Sequence, residues 1–248
     1  MILLLAGGFF LTALLYASVG FGGGSTYSAL LALAGTDHRV LPLISLACNI
    51  VVVAGASWRF ARAGVTPWRG ALLMTVLAAP AAFVGGLVPI EREAFLLLLG
   101  ASLVLTALTM LIPVEEETRE GERHKWARAM PLVAAPVGFL AGVVGIGGGI
   151  FLAPLLHLTR WQGAREIAAT ASFFILVNSG FGLAGQLAKN GPAMFGGAMV
   201  DALPLLLAVV AGGQIGSLMA LRLLPVKWIR WLTAALVLVV GIRLLGSA

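Results

Sequence analysis

Four glycines in five positions cannot be held in a helix, and this chain carries that pattern twice. One copy is Gly20-Phe21-Gly22-Gly23-Gly24 and the other is Gly145-Ile146-Gly147-Gly148-Gly149. Both sit inside apolar sequence. Each is followed by a short apolar segment, at 30–33 and at 151–156. A glycine inside a helix is roughly 1 kcal/mol worse than alanine. Each run therefore predicts a break. At membrane depth, a break is tolerated only where the bare backbone lines a cavity or is buried in protein. The two breaks are thus the expected functional centre, and the other helices are expected to hold them in place.

That these breaks lie in a bilayer follows from composition. Of 248 residues, 60% are hydrophobic and 10% are charged, against about 25% charged in soluble domains. The apolar runs are long and unbroken, unlike the short alternating strands of a membrane barrel. The expected class is an all-α polytopic membrane protein, embedded in lipid. The net charge of +6 does not point to nucleic acid, because the basic residues lie in loops and at helix ends. The single cysteine, Cys48, gives neither a disulfide framework nor a CxxC metal pair. The first residues are apolar, with no basic segment before them, so no cleaved signal peptide is expected.

A span needs about 20 apolar residues, which predicts helices over 40–60, 68–88, 93–112, 165–187, 195–224 and 226–245. Pro80 and Pro204 fall inside two of them and predict kinks. A polar stretch at 113–129, rich in Glu and Arg, divides the chain. The expected organisation is a first membrane repeat at 1–112, a charged cytoplasmic linker at 113–130 and a second repeat at 131–248. The halves resemble each other: the glycine runs align, Asn49 follows one and Asn178 the other, and Gly85-Gly86 and Gly212-Gly213 each precede a last span. Duplication of this kind is the ground plan of many secondary transporters.

Charge counting then chooses the topology. If both glycine segments cross, giving eight spans, the 16 Lys and Arg residues divide nine to seven. If both are re-entrant hairpins, only Arg39, Arg92, Lys189 and Arg243 remain on one side, and the other twelve of the sixteen share the opposite face. The second division obeys the positive-inside rule. The expectation is two inverted repeats, each a Gly-broken re-entrant hairpin plus three transmembrane helices, with eight full spans as the alternative.

Short helices should begin just after Gly24 and Gly149. A helix N-terminus presents free N–H groups and about half a positive charge. Glycines before it let a ligand approach the backbone. Such an end attracts an anion without any cationic side chain. The candidate substrate-binding residues are Gly22, Gly23, Gly24, Ser25, Thr26, Asn49, Gly147, Gly148, Gly149, Ile150, Asn178 and Gln214. Ser45, Thr170, Ser172 and Ser179 are further candidates, although such hydroxyls also bond within their own helices. For Asn49 and Asn178 a site is the better reading, since an unpaired buried amide is costly. For Gly212-xxx-Gly216 and Gly138-xxx-Gly142, close helix packing is expected. Asp201 reads as an interfacial carboxylate. No pair of histidines has metal-ligand spacing, no Lys-Ser/Thr follows either run as a phosphate-binding loop requires, and Ser25 has no histidine at matching depth to act as a base. No cofactor, no metal and no enzyme activity are expected.

With these residues in view, the chain resembles the TauE/SafE family of membrane transporters, the sulfite exporters. The resemblance is carried by Val19 to Gly24, by Gly145 to Gly149 followed by Pro154, and by the repeated half. Ala29 stands where the first copy would match Pro154. The resemblance implies a bacterial inner-membrane location and a sulfur oxyanion, such as sulfite or an organosulfonate, as substrate. The residues alone imply a small anion, moved by a secondary transporter with alternating access or passed by an anion channel on the same scaffold. The coupling ion, proton or sodium, and assembly as a homodimer are left open.

Overall fold

The computed structural model describes residues 2–19, 22–111, 129–219 and 226–246. Every element among them is a helix: α1 (Ile2–Val19), α2 (Gly24–Leu33), α3 (Leu41–Arg62), α4 (Trp68–Leu87), α5 (Arg92–Leu111), α6 (Met130–Val144), α7 (Gly149–Leu158), α8 (Ala164–Asn190), α9 (Pro192–Asp201), α10 (Leu203–Met219) and α11 (Val226–Leu245). The charged linker expected at 113–130 falls almost wholly outside the described residues, as do Gly20 and Phe21.

Both glycine runs interrupt helices where expected. Four described helices are long and apolar enough to cross a membrane: 41–62, 68–87, 92–109 and 165–190. Pro80 lies within an uninterrupted α4. The helix predicted as one span at 195–224 is instead two, with α9 and α10 meeting at 64°. The cause is local. Pro204 has no N–H to give to the carbonyl four residues earlier, so the ladder fails at Ala202 and restarts with Leu206 N donating to Ala202 O at 2.9 Å. Asp201 is exposed at the end of α9.

Inside a bilayer, helices associate through close packing, because lipid is as apolar as leucine. The glycines provide it. A methyl group built on Gly138 or Gly142 of α6 would collide with the backbone of Ala78 or Ala82 of α4. One built on Gly212 or Gly216 of α10 would collide with the backbone of Phe10 or Leu14 of α1. The glycine spacings at 138–142 and 212–216 therefore serve packing, as expected.

These pairs also fix directions. Residues 78 and 82 meet 138 and 142 in the same order, so α4 and α6 run parallel, and by the same argument so do α1 and α10. Ala82 faces Gly182, and the Val88 carbonyl accepts a hydrogen bond from Lys189 Nζ at 3.2 Å, so α4 and α8 are parallel too. The order reverses elsewhere. Gly100 reaches Leu245 while Gly241 reaches Val104, which makes α5 and α11 antiparallel. Leu46 meets Gly182 while Val53 and Ile175 converge on Gly22, which makes α3 and α8 antiparallel. The halves are interlocked, since α1 packs on α10 and α6 on α4.

Two apolar clusters fill the interior. The larger joins Phe9, Tyr27, Leu41, Leu43, Phe95, Leu103, Val209 and Val237 from both halves. The smaller joins Met74, Met130, Leu152, Leu156, Ile167 and Phe174. The glycine breaks lie between α3 and α8.

Candidate functional site

The second break is built by backbone conformation. Gly145, Gly147 and Gly148 have φ of +76°, +75° and +79°, a region that costs another residue roughly 1–2 kcal/mol. Gly145 ends α6 in the left-handed form with its N–H on the Ala141 carbonyl at 2.9 Å, the usual glycine cap. Gly148 then starts α7, accepting bonds from the Phe151 and Leu152 amides at 3.1 Å. In the first break, Gly22, Gly23 and Gly24 have ordinary φ. They are needed there for space: a methyl group on Gly23 would lie 2.8 Å from the Tyr27 ring, and one on Gly24 would lie 2.6 Å from the Ile146 carbonyl oxygen. The start of α2 thus touches the backbone of the other break.

Four side chains, Asn49, Val53, Ile175 and Ser179, occupy the meeting point. A methyl group built on Gly147 would lie 2.7 Å from Asn49 Nδ2, 2.7 Å from Ser179 Oγ and 3.1 Å from Ile175 Cγ2. One built on Gly22 would lie 2.7 Å from Asn49 Oδ1 and 3.2 Å from both Ile175 Cγ2 and Val53 Cγ1. Asn49 also abuts Gly24, and Ile175 covers Gly149. Asn49 is fully buried, and neither atom of its amide has a hydrogen-bond partner in the protein. The hydroxyls of Ser25 and Ser179 are equally buried and unpartnered. Leaving one buried polar group unmade costs about 1–3 kcal/mol, so these unpartnered groups beside two uncapped helix N-termini mark the candidate site.

The remaining candidates divide. Thr26 Oγ1 lies 3.2 Å from the Tyr16 hydroxyl, a hydrogen bond that stays within the first half. Ser45 donates to the Gly24 carbonyl at 3.0 Å and accepts from Ser28 at 3.0 Å, locking α2 onto α3. Ile150 packs against the larger apolar cluster and offers the site only its backbone. Asn178 is buried, but its Nδ2 donates to the Phe174 carbonyl of its own helix at 3.0 Å, leaving Oδ1 unpartnered. Gln214 is not brought to the breaks. It lines a separate groove between α3 and α10 with Val51, Gly55, Arg59 and Val210.

Three contributors escape a reading of the sequence. Ile175 and Val53 are apolar residues in apolar helices and carry no signal. Gln186 does carry one, as a polar residue inside a predicted span. Its Nε2 donates to the Gly142 and Val143 carbonyls at 3.0 and 3.4 Å. It thereby satisfies the last turn of α6 where that helix ends inside the protein, a place where an unpaired carbonyl costs several kcal/mol.

Buried unwound backbone, enclosed by apolar helices of membrane-spanning length, defines a multi-pass protein of the cell membrane with an internal polar centre. The chain belongs to the sulfite exporter TauE/SafE family, whose match runs over residues 4–244. It is 34% identical over 245 residues, covering 97% of each chain, to the protein described as "Probable membrane transporter protein y4hK" of Sinorhizobium fredii. No solved structure matches it.

Proposed function

We propose that the protein is a secondary transporter of a small anion, of the sulfur-oxyanion class to which its family name points. The observation that carries this reading is the convergence of both glycine breaks on Asn49, whose buried amide has no partner, with the unpartnered Ser179 hydroxyl against Gly147. Exposed amides at helix ends attract negative charge and need no cationic partner. Among the described residues, the contacts nearest the breaks include no carboxylate, which would repel an anion.

The transport cycle rests on inverted repeats. That topology is supported by the antiparallel runs of α3 against α8 and of α5 against α11, because helices related by an axis in the membrane plane must oppose each other. It is also supported by α6 and α8, which both run parallel to α4. With only α7 between them, the chain has to turn back at the glycine break, as a re-entrant hairpin does. Exchange of access follows if each hairpin moves against α3 and α8 in turn. The twelve-to-four division of the sixteen basic residues that this topology gives supports a cytoplasmic location for the crowded face.

Flux in proteoliposomes tests the proposal. Sulfite or sulfonate uptake should saturate and should be driven uphill by a proton or sodium gradient. Unsaturable flux that follows only the anion's own gradient would replace the transporter with a channel. Gly24→Leu and Gly149→Leu should abolish flux while the protein still inserts; retained flux in both would remove the site.

A further inference from the structure

The two breaks correspond position by position, but the side chains around them do not. Gly22 and Gly147 each meet both Asn49 and Ile175. Gly22 adds Val53, four residues beyond Asn49, and Gly147 adds Ser179, four residues beyond Ile175. Gly24 abuts Asn49, and Gly149 abuts Ile175. By contact, the counterpart of Asn49 is therefore Ile175 rather than Asn178, and the counterpart of Val53 is Ser179. Each pair has one polar and one apolar member.

We infer that Ile175 is a specificity-determining residue, which shields the start of α7 and reserves the site for an anion bearing an apolar group opposite its charge. This rests on the anion-transport reading above. The charged end is held at the start of α2, where Gly24 and Ser25 present amides and where Asn49 is buried and unpartnered on both amide atoms. Ser179 closes the same side through Gly147. The Ile175 side chain lies over Gly149 and reaches Gly22, where Val53 joins it. An anion with polar atoms all round would leave a donor or an acceptor against Ile175 and Val53 without a partner, which selects against it.

Methanesulfonate and sulfamate test this directly. They share charge and shape and differ in a methyl against an amino group. Calorimetric titration of the purified full-length protein should show methanesulfonate binding about ten-fold tighter. Ile175→Asn, which places an amide at both related positions, should reverse the order. The milder Ile175→Thr should move the ratio the same way by less, and it supplies the answer if the asparagine variant does not fold. Equal binding by the wild type, or an unchanged ratio in the folded variants, overturns the inference while leaving anion binding intact. Absence of binding by both anions, and by sulfite, overturns the transport reading and the inference with it.

Discussion

At the scale of single residues, the proposed site rests on one amide. Asn49→Ala should weaken anion binding by about 1–3 kcal/mol, measured by calorimetry. Asn178→Ala should weaken it less, because its Nδ2 is already committed to Phe174. Equal losses would mean that both amides bind. Asn49 was legible in the sequence because an amide in an apolar run is expensive to bury without purpose. The same reasoning pointed to Asn178 as its mate. The one-residue difference in spacing, 24 to 49 against 149 to 175, and the change from amide to isoleucine hid from the sequence the counterpart that the contacts indicate. An apolar side chain that shapes a site cannot be told from one that packs a helix until the fold brings it to the ligand. Ser25 and Ser179 were legible as residue types, and only three-dimensional contact separates them from Ser45, whose hydroxyl is spent on the Gly24 carbonyl.

At the scale of elements, glycine does two jobs that respond differently to substitution. Gly142→Ala and Gly216→Ala push a methyl into the backbone of Ala82 or Leu14. Overpacking of this kind should cost about 1–3 kcal/mol and lower the thermal unfolding midpoint in detergent. Gly7→Ala, with nothing within 4 Å of the added methyl, should leave that midpoint unchanged or slightly raised, since alanine is the better helix former. A comparable drop at Gly7 would contradict the packing account. Gln186→Leu strands two carbonyls at the end of α6 and should also lower the midpoint, more than Asn190→Ala, whose bond to Gln186 is 3.3 Å long and half-buried. The breaks and most helix bounds could be read from the sequence, because glycine runs and apolar length are strong local signals. The bend between α9 and α10 was announced by Pro204 and measures 64°; that it would divide the helix, while Pro80 is carried inside α4, could not be read from the prolines alone.

At the scale of the whole molecule, the proposed topology rests on the interlock and on charge. A reporter fused after residue 248 should report the periplasm, and a cytoplasmic signal would restore eight full spans. The halves clasp each other through α1 on α10 and α6 on α4. A chain cut within 113–129 and co-expressed as two pieces should therefore assemble and transport, while either piece alone should be degraded. Stable accumulation of one piece would show that a repeat is self-sufficient. The paired motifs suggest duplication. The exchange of partners between the halves was not legible, because glycine spacing marks a contact surface without saying whose it meets.

The clasp of α1 on α10 also sets an order of events during synthesis. Leu14 must wait for Gly216, so about 200 residues leave the ribosome before the first helix finds its close neighbour. Until then that helix sits in lipid or against the insertion machinery as a tenant without a fixed place. Long-range contacts of this kind delay folding, and the newborn chain should stay open to proteolysis near its beginning until its last quarter has been made.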